Sequence, residues 1–345
     1  MKKVNIAYVG FGKSTNRYHI PYSRLRENII IKRVITPILN ERPEEQKELE
    51  KNGTIFSTEL QDALTDPEID LIDIVTPAPF HYEISKKALE AGKHVMCDKP
   101  LVEKLEEAME LTRFAKEKGL IYMPFQNRRF DSDFLTVEKV LERGYLGELT
   151  DITVHMDHYR PNENRSGGPF DGAWYGHGVH MVDQIVSLFG KPNLIQYDLK
   201  KVRDPEQSDD YFNVKMIYDR FTATVAASET SALSHPKWVL YGTRGVFIKN
   251  DVDQQENDLK LSIMPGTLDF GEDTPEDFGK LVYYNQNGDR IKKTIRSEVG
   301  DYGRVYDSLY NTLIDGEKKL VSDEELLTVI EILEGAFSKK EEGEV

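Results

Sequence analysis

A single cysteine, Cys97, stands among 345 residues, so the chain can form no intrachain disulfide and no multi-cysteine metal centre, as suits a reducing compartment. Two readings stay open for it, a small buried residue at a strand end and a reactive thiol. Also absent is any run near the roughly 18 apolar residues that span a bilayer. Met1-Lys2-Lys3 leads into a strand pattern rather than a secretory apolar region, so no membrane association and a cytoplasmic location are expected. Positive charge is in deficit: 45 Lys and Arg against 60 Asp and Glu give a net charge of −15, which opposes binding to nucleic acid or anionic lipid and favours small-molecule partners. Internal repeats and low-complexity linkers are missing as well. What remains is 39% hydrophobic and 30% charged, enough to fill a core, and too long for one: two domains are expected.

The first 124 residues alternate between two periodicities. Apolar strands are read at residues 4–9, 29–35, 54–56, 71–75, 94–97 and 120–123, with helical segments between them, one opened by Thr58 and Gln61 at capping-box spacing. Repeated βα units with apolar strands mean a doubly wound parallel sheet covered on both faces. After a helix at about 133–143 the pattern changes to strand-like stretches at 149–159, 194–202, 212–218, 222–229, 238–242 and 246–249. A hairpin follows, 281–284 with 290–295, turned near Asn287-Gly288. Residues 125–345 therefore read as an α+β domain with a large open, mainly antiparallel sheet. One helix at 179–189 interrupts it, with Val182, Ile185, Val186 and Phe189 as core; a second, capped by Ser322 and Glu325, runs to Phe337, and 339–345 read as a solvated tail.

Two stretches carry chemistry. The first strand runs into Gly10-Phe11-Gly12-Lys13-Ser14-Thr15 and then an amphipathic segment, the context of a dinucleotide site: Gly10 for the tight turn, Gly12 for close approach of the pyrophosphate, and a helix N-terminus for the anion. Thr15 replaces the third glycine, and Ser14 and Thr15 are candidate phosphate donors. An ordinary βα turn is the alternative. The second stretch, AGKHVMCDKPL at 91–101, sets Lys99 just beyond a parallel strand, where open α/β sheets hold their ligands, and Pro100 keeps it extended and can take a cis bond. Taken alone, Asp98-Lys99-Pro100 also reads as a solvated turn.

GFGKSTNRYHIPY at 10–22, TPAPFH at 76–81, EAGKHVMCDKPL at 90–101, PFQNRRFDSDFL at 124–135 and GVHMVDQ at 178–184 together resemble the Gfo/Idh/MocA family, the relatives of glucose-fructose oxidoreductase and inositol dehydrogenase. The opening motif, QNRRFDS and DYGRVYDSLY at 301–310 are most similar to its YhhX-like branch. The resemblance implies a Rossmann domain at 1–124 binding NAD or NADP, and a domain at 125–345 for substrate and for homodimer or homotetramer formation through the open sheet. It identifies Lys99 with the lysine of the family's E-K-P signature, Asp98 standing in place of the glutamate. Thr76, Pro77 and His81 match the segment along the cofactor, and Asn127 and Arg128 the segment bordering nicotinamide and substrate. His180 matches the family's catalytic histidine. Gly176 stands where the family has an aspartate four residues earlier.

The function expected is hydride transfer between nicotinamide and a carbinol or carbonyl carbon of a sugar, polyol or related compound, with Lys99 holding the substrate oxygen and His180 handling its proton. Arg128, Tyr159 and Asp183 are further substrate-contact candidates, though Asp183 reads equally as a capping or structural group. Asp183, rather than His177, is expected to support His180; an unassisted His180 is the alternative, and Tyr159 the next candidate base. Thr36 and Arg42 lie at the tip of the second strand, where no acid faces a ribose 2′-hydroxyl, so Arg42 or Lys13 is expected to meet a 2′-phosphate, favouring NADP. No metal site is expected. Two rivals stand beside this reading: a non-catalytic nucleotide-binding sensor, and a reductase of dihydrodiols or tetrapyrroles.

Overall fold

Strands β1 (Val4–Val9), β2 (Ile29–Ile35), β3 (Ile55–Ser57), β4 (Leu71–Ile74), β5 (His94–Cys97) and β6 (Tyr122–Pro124) form one all-parallel sheet in the order β3-β2-β1-β4-β5-β6. That order reverses beside β1, the switch point at which doubly wound sheets open a crevice. These strands belong to a computed structural model that describes residues 2–163 and 168–338. Each strand connects to the next through helical segments: α1 (Ile20–Ser23), α2 (Pro43–Lys51), α3 (Leu60–Leu64), α4 (His81–Glu90) and α5 (Leu105–Lys118). All four residues of β4 are buried, as a strand covered on both faces must be. Helix α5 ends on Gly119 in the left-handed region at φ 66°, which lets the chain turn into β6.

This unit comprises residues 1–127, 263–268 and 302–327. Helix α9 (Arg304–Asp315) belongs to it because Val305, Tyr306, Leu309 and Tyr310 make a buried stripe, with the Tyr306 hydroxyl 3.0 Å from Asp73 Oδ2 and the Tyr310 hydroxyl donating to the Lys2 carbonyl at 2.8 Å. Ser322 and Glu325 form the expected reciprocal cap, at 2.7 and 3.2 Å, of α10 (Asp323–Gly335). Thr58 and Gln61 form none: α3 starts one residue late, at Leu60, and the Thr58 hydroxyl turns to Glu59.

The second unit comprises residues 128–262, 269–301 and 328–345. Its eight-stranded sheet has the order β14-β13-β12-β11-β7-β10-β9-β8. The members are β7 (Leu149–His155), β8 (Leu194–Lys200), β9 (Tyr211–Ile217), β10 (Thr222–Ser228), β11 (Trp238–Gly242), β12 (Gly245–Lys249), β13 (Gly279–Tyr284) and β14 (Arg290–Ile295). All pairings are antiparallel except β7 with β10, which no local pattern announces. Helices α6 (Ser132–Glu142), α7 (Val179–Phe189) and α8 (Gln254–Lys260) belong to this unit, α7 burying Val182, Ile185 and Val186. Strand β7 stops at His155, short of the expected 159, yet the backbone stays bonded beyond it: the Met156 and His158 N–H groups donate to the Ala226 and Ser228 carbonyls at 3.0 and 2.9 Å, and Tyr159 bridges Thr230. The expected tail at 339–345 lies outside the described residues. Among those described, no helix is long and apolar enough to cross a membrane.

Candidate active site

In the first unit, the tip of β1 is shaped by one obligatory glycine and one permissive one. Gly10 sits at φ 109°, and a Cβ there would lie 2.3 Å from the Val75 carbonyl oxygen, so no other residue fits. At Gly12 a Cβ would meet nothing within 4 Å. The backbone itself does not require that glycine, and its open face is what a close-approaching pyrophosphate needs. Thr15 departs from expectation: it is fully buried and its hydroxyl donates to the Gly10 carbonyl at 2.9 Å, so it locks the turn from inside instead of facing phosphate. Phe11 is buried edge-on against Phe56, 5.0 Å between centroids, and its side chain belongs to the core.

The helix that follows contains a π-helical stretch, Thr15–His19, and such insertions alter which side chains face inward. His19 is buried and stacked on Phe125 at 3.9 Å, with Nδ1 3.3 Å from Asp73 Oδ2 and 3.0 Å from the Tyr306 hydroxyl, and Nε2 3.9 Å from Asp98 Oδ2. Burial opposes its charge, but Asp73 and then Asp98 outweigh it and raise the imidazole to about 9, so His19 is a buried imidazolium at neutral pH. Burial likewise pushes Asp98 up, yet His19, Lys99 and Ser14 more than reverse it, holding this carboxylate well below its ordinary range. Asp98 Oδ2 accepts from the Ser14 hydroxyl at 2.8 Å and Oδ1 from the Lys99 N–H at 2.8 Å. The carboxylate thus ties the cofactor turn to the strand tip that carries Lys99, which is half-buried and followed by a cis bond to Pro100.

The other residues assigned to the cofactor divide into outward and inward ones. Lys13 and Pro77 are exposed. Arg42 pairs with Glu45 at 3.3 Å. Thr36 is 2% exposed and lies under the β2 tip. His81 is buried, its two ring nitrogens 2.8 and 2.7 Å from the carbonyls of Pro100 and Thr76, so it staples the end of β4 to the segment after Lys99. Thr76 Oγ1 is buried with no partner among the described residues. Asn127 is buried at the end of the unit.

In the second unit, His180 and Asp183 are buried on α7, which is entered through another π-helical stretch, Trp174–Gly178. Both oxygens of Asp183 accept from Arg129, Nε and Nη2 each at 2.8 Å, a bidentate buried pair. Arg128 is engaged by Asp131 at 3.3 Å and Glu256 at 3.0 Å. Tyr159 is exposed. At Gly176, where the resemblance leads one to look for an aspartate, a Cβ would meet nothing within 4 Å among the described residues, so the backbone surroundings do not require glycine there. The neighbouring His177 faces a different acid, with Nε2 3.3 Å from Glu229 Oε1, and its ring lies 4.7 Å from that of His158. Glu229 is fully buried and also meets Arg203 at 2.9 Å and Arg160 at 3.7 Å. Burial first, then the charges of His177, Arg160 and Lys260, depress His158 to about 3, so it stays neutral across the ordinary pH range.

Matches to family models cover both halves of this geometry: residues 4–126 match the oxidoreductase family's NAD-binding Rossmann fold, and 138–345 its C-terminal alpha/beta domain. The chain belongs to the Gfo/Idh/MocA oxidoreductase family. Within it, the chain is 43% identical to the uncharacterized oxidoreductase YhhX of Escherichia coli, over 97% of this chain and 96% of that protein. It is 30% identical to the scyllo-inositol 2-dehydrogenase (NADP(+)) IolW of Bacillus subtilis, over 98% and 94%. The crystal structure of an oxidoreductase from Bacillus cereus superposes with a TM-score of 0.95 at 42% identity, covering 99% of this chain and 97% of that one. The notable residues that the sequence alone does not single out are His19, Asp73, Tyr306, His158 and Glu229. His19 and Tyr306 lie inside motif stretches, but nothing in their spacing points to Asp73; the others meet through contacts tens of positions apart.

Proposed function

We propose that the chain is an NADP-preferring oxidoreductase that interconverts a hydroxyl and a carbonyl on a polyol or sugar. The observation carrying this reading is the β1 turn, where Gly12 leaves an open face above a strand tip whose Asp98 ties Ser14 to the backbone of Lys99. The residues present fit a dinucleotide: the open face at Gly12 admits a pyrophosphate, and Thr76 Oγ1 is a buried hydroxyl with no partner among the described residues. Gly10, Gly12, Lys13, Ser14, Thr76 and Pro77 would hold it, and its nicotinamide, when bound, supplies or accepts the hydride. The ammonium of Lys99 polarises the substrate oxygen, and the His180 imidazole takes or returns the hydroxyl proton. Asp98, kept anionic, restrains Lys99 through its backbone, while Arg129 restrains Asp183 on the helix of His180. The preference for NADP rests on Lys13 and Arg42 near a β2 tip without an acid, and agrees with the NADP(+) in the name of IolW. Its name also supports a cyclic polyol as the first substrate to try.

Calorimetric titration with NAD and NADP tests the first part, and a panel of inositols, aldoses and glycosides assayed by the absorbance of the reduced dinucleotide tests the second. Tight binding of NADP with turnover of at least one polyol is expected. No binding of either dinucleotide overturns the assignment, and a clear preference for NAD overturns the preference.

A further inference from the structure

Away from the residues just discussed, β7 ends on His155, Asp157 follows two residues later, and the segment before β11 carries His235. The pairing of these strands brings them together: the His155 N–H donates to the Lys237 carbonyl at 2.9 Å, which sets His235 beside Asp157. Asp157 Oδ2 lies 2.8 Å from His235 Nδ1 and 3.9 Å from His155 Nδ1, and the two imidazoles stack at 4.3 Å with 23° between planes. One ligand atom from each residue lies within 4.8 Å of the others. In a tetrahedral zinc site with bonds of about 2.0–2.2 Å the ligand atoms stand roughly 3.4 Å apart, so a shift on the order of 1 Å would close the set on an ion. The carboxylate is already held as metal ligands usually are: Oδ1 accepts from the Ser228 N–H and Oδ2 from the His235 N–H, each at 3.0 Å.

The surroundings favour a cation. A cavity of about 330 Å³ adjoins the three residues, its charged lining being Asp157, Asp251, Asp273 and Asp277 against Lys237 and Lys260. Lys249 pairs with Asp273 at 2.9 Å and Lys260 with Glu256 at 3.4 Å. With those pairs set aside, three carboxylates face one ammonium.

We propose that His155, Asp157 and His235 bind a divalent transition ion, zinc being the form tested, with a further coordination position opening onto this cavity. Two imidazoles and a carboxylate suit Zn²⁺ or Co²⁺ and not Mg²⁺ or Ca²⁺, which take oxygen ligands. The site would cross-link β7 to the segment entering β11 and leave a position for water or an oxygen ligand.

The test uses untagged full-length protein, stripped with a chelator and dialysed, titrated calorimetrically with Zn²⁺ and followed by visible absorption with Co²⁺. One equivalent bound at micromolar strength or better is expected, together with a Zn²⁺-dependent rise in melting temperature. His235→Ala and His155→Gln should each weaken binding at least tenfold; His235 is 60% exposed, so its removal leaves the core intact. His94→Gln, a half-buried histidine that accepts from the Ile121 N–H, should change nothing. Uptake only at millimolar metal, or wild-type affinity in either cluster variant, overturns the proposal and leaves His235–Asp157 an ordinary ion pair.

Discussion

Lys99 stands at the tip of a buried strand, between a carboxylate one residue before that accepts from its N–H and a proline one residue after, local features that its sequence displays. The aspartate and histidine that work from below it, Asp73 and His19, are not legible in that way, since a buried pair 54 positions apart leaves no spacing signal. If Lys99 meets charge developing on the substrate oxygen, Lys99→Ala should cost at least about 3 kcal/mol in transition-state stabilisation, more than a hundredfold in turnover. Its dinucleotide affinity should stay within about tenfold of wild type, or roughly 1.4 kcal/mol. Steady-state kinetics and calorimetry on the same preparation check both, and a variant that turns over normally would leave Lys99 a structural residue. Asp183 gives a second residue-scale test. Its helical spacing from His180 suggests support for a base, and in the structure both its oxygens also accept from Arg129. Asp183→Asn leaves a buried guanidinium short of its counter-charge, which typically costs about 3–5 kcal/mol. Urea denaturation should therefore register the change before any pH profile does; unaltered stability would mean that the pair contributes little to the fold.

At the scale of elements, the alternation of apolar strands and amphipathic helices was enough to read the doubly wound sheet and most strands of the second. Three features escaped it: the two π-helical stretches, the parallel β7–β10 pairing, and α9's place in the first unit. None is encoded in a window of a few residues. A π-insertion is a local compromise with tertiary packing, and strand partners are chosen by burial across the whole sheet. The glycine turn was legible as a motif, but only the structure separates its two glycines. Gly10→Ala forces a Cβ to 2.3 Å from the Val75 oxygen at a positive φ, so it should lower the melting temperature by several degrees or prevent folding. Gly12→Ala meets no protein atom and should melt with the wild type while losing at least about tenfold in dinucleotide affinity, because its methyl stands where the pyrophosphate must approach. Circular dichroism melts and titration of both variants distinguish these outcomes. Equal destabilisation by the two would contradict the open face at Gly12.

For the molecule as a whole, the net charge of −15 is a sequence-level property, but the pH dependence of stability turns on groups that the sequence leaves indistinct. His19 is one: burial works against its charge, Asp73 and Asp98 overcome that, and the folded value rises from 6.5 to about 9. A raised folded value means that the folded state binds the proton more tightly than the unfolded chain. The stabilisation is then complete below about pH 6.5 and disappears as pH rises through about 9. The full shift corresponds to about 3 kcal/mol as an upper bound. The buried Asp73 has the same sign, because burial, its largest influence, raises its own folded value against the pull of His19 and Tyr306, so its contribution also falls as pH rises through that folded value. The His19 loss between pH 7 and pH 10 should fall slightly below that bound, at roughly 2–3 kcal/mol, because the stabilisation already begins to decline above about pH 6.5. In His19→Gln, which keeps a polar group but cannot charge, the loss over the same window should largely vanish while stability at pH 7 drops. Urea unfolding of wild type and variant at pH 6.5, 8 and 9.5 measures it directly. Parallel slopes for the two proteins would show that the imidazolium between Asp73 and Asp98 does not govern alkaline stability, and that some other group titrates there.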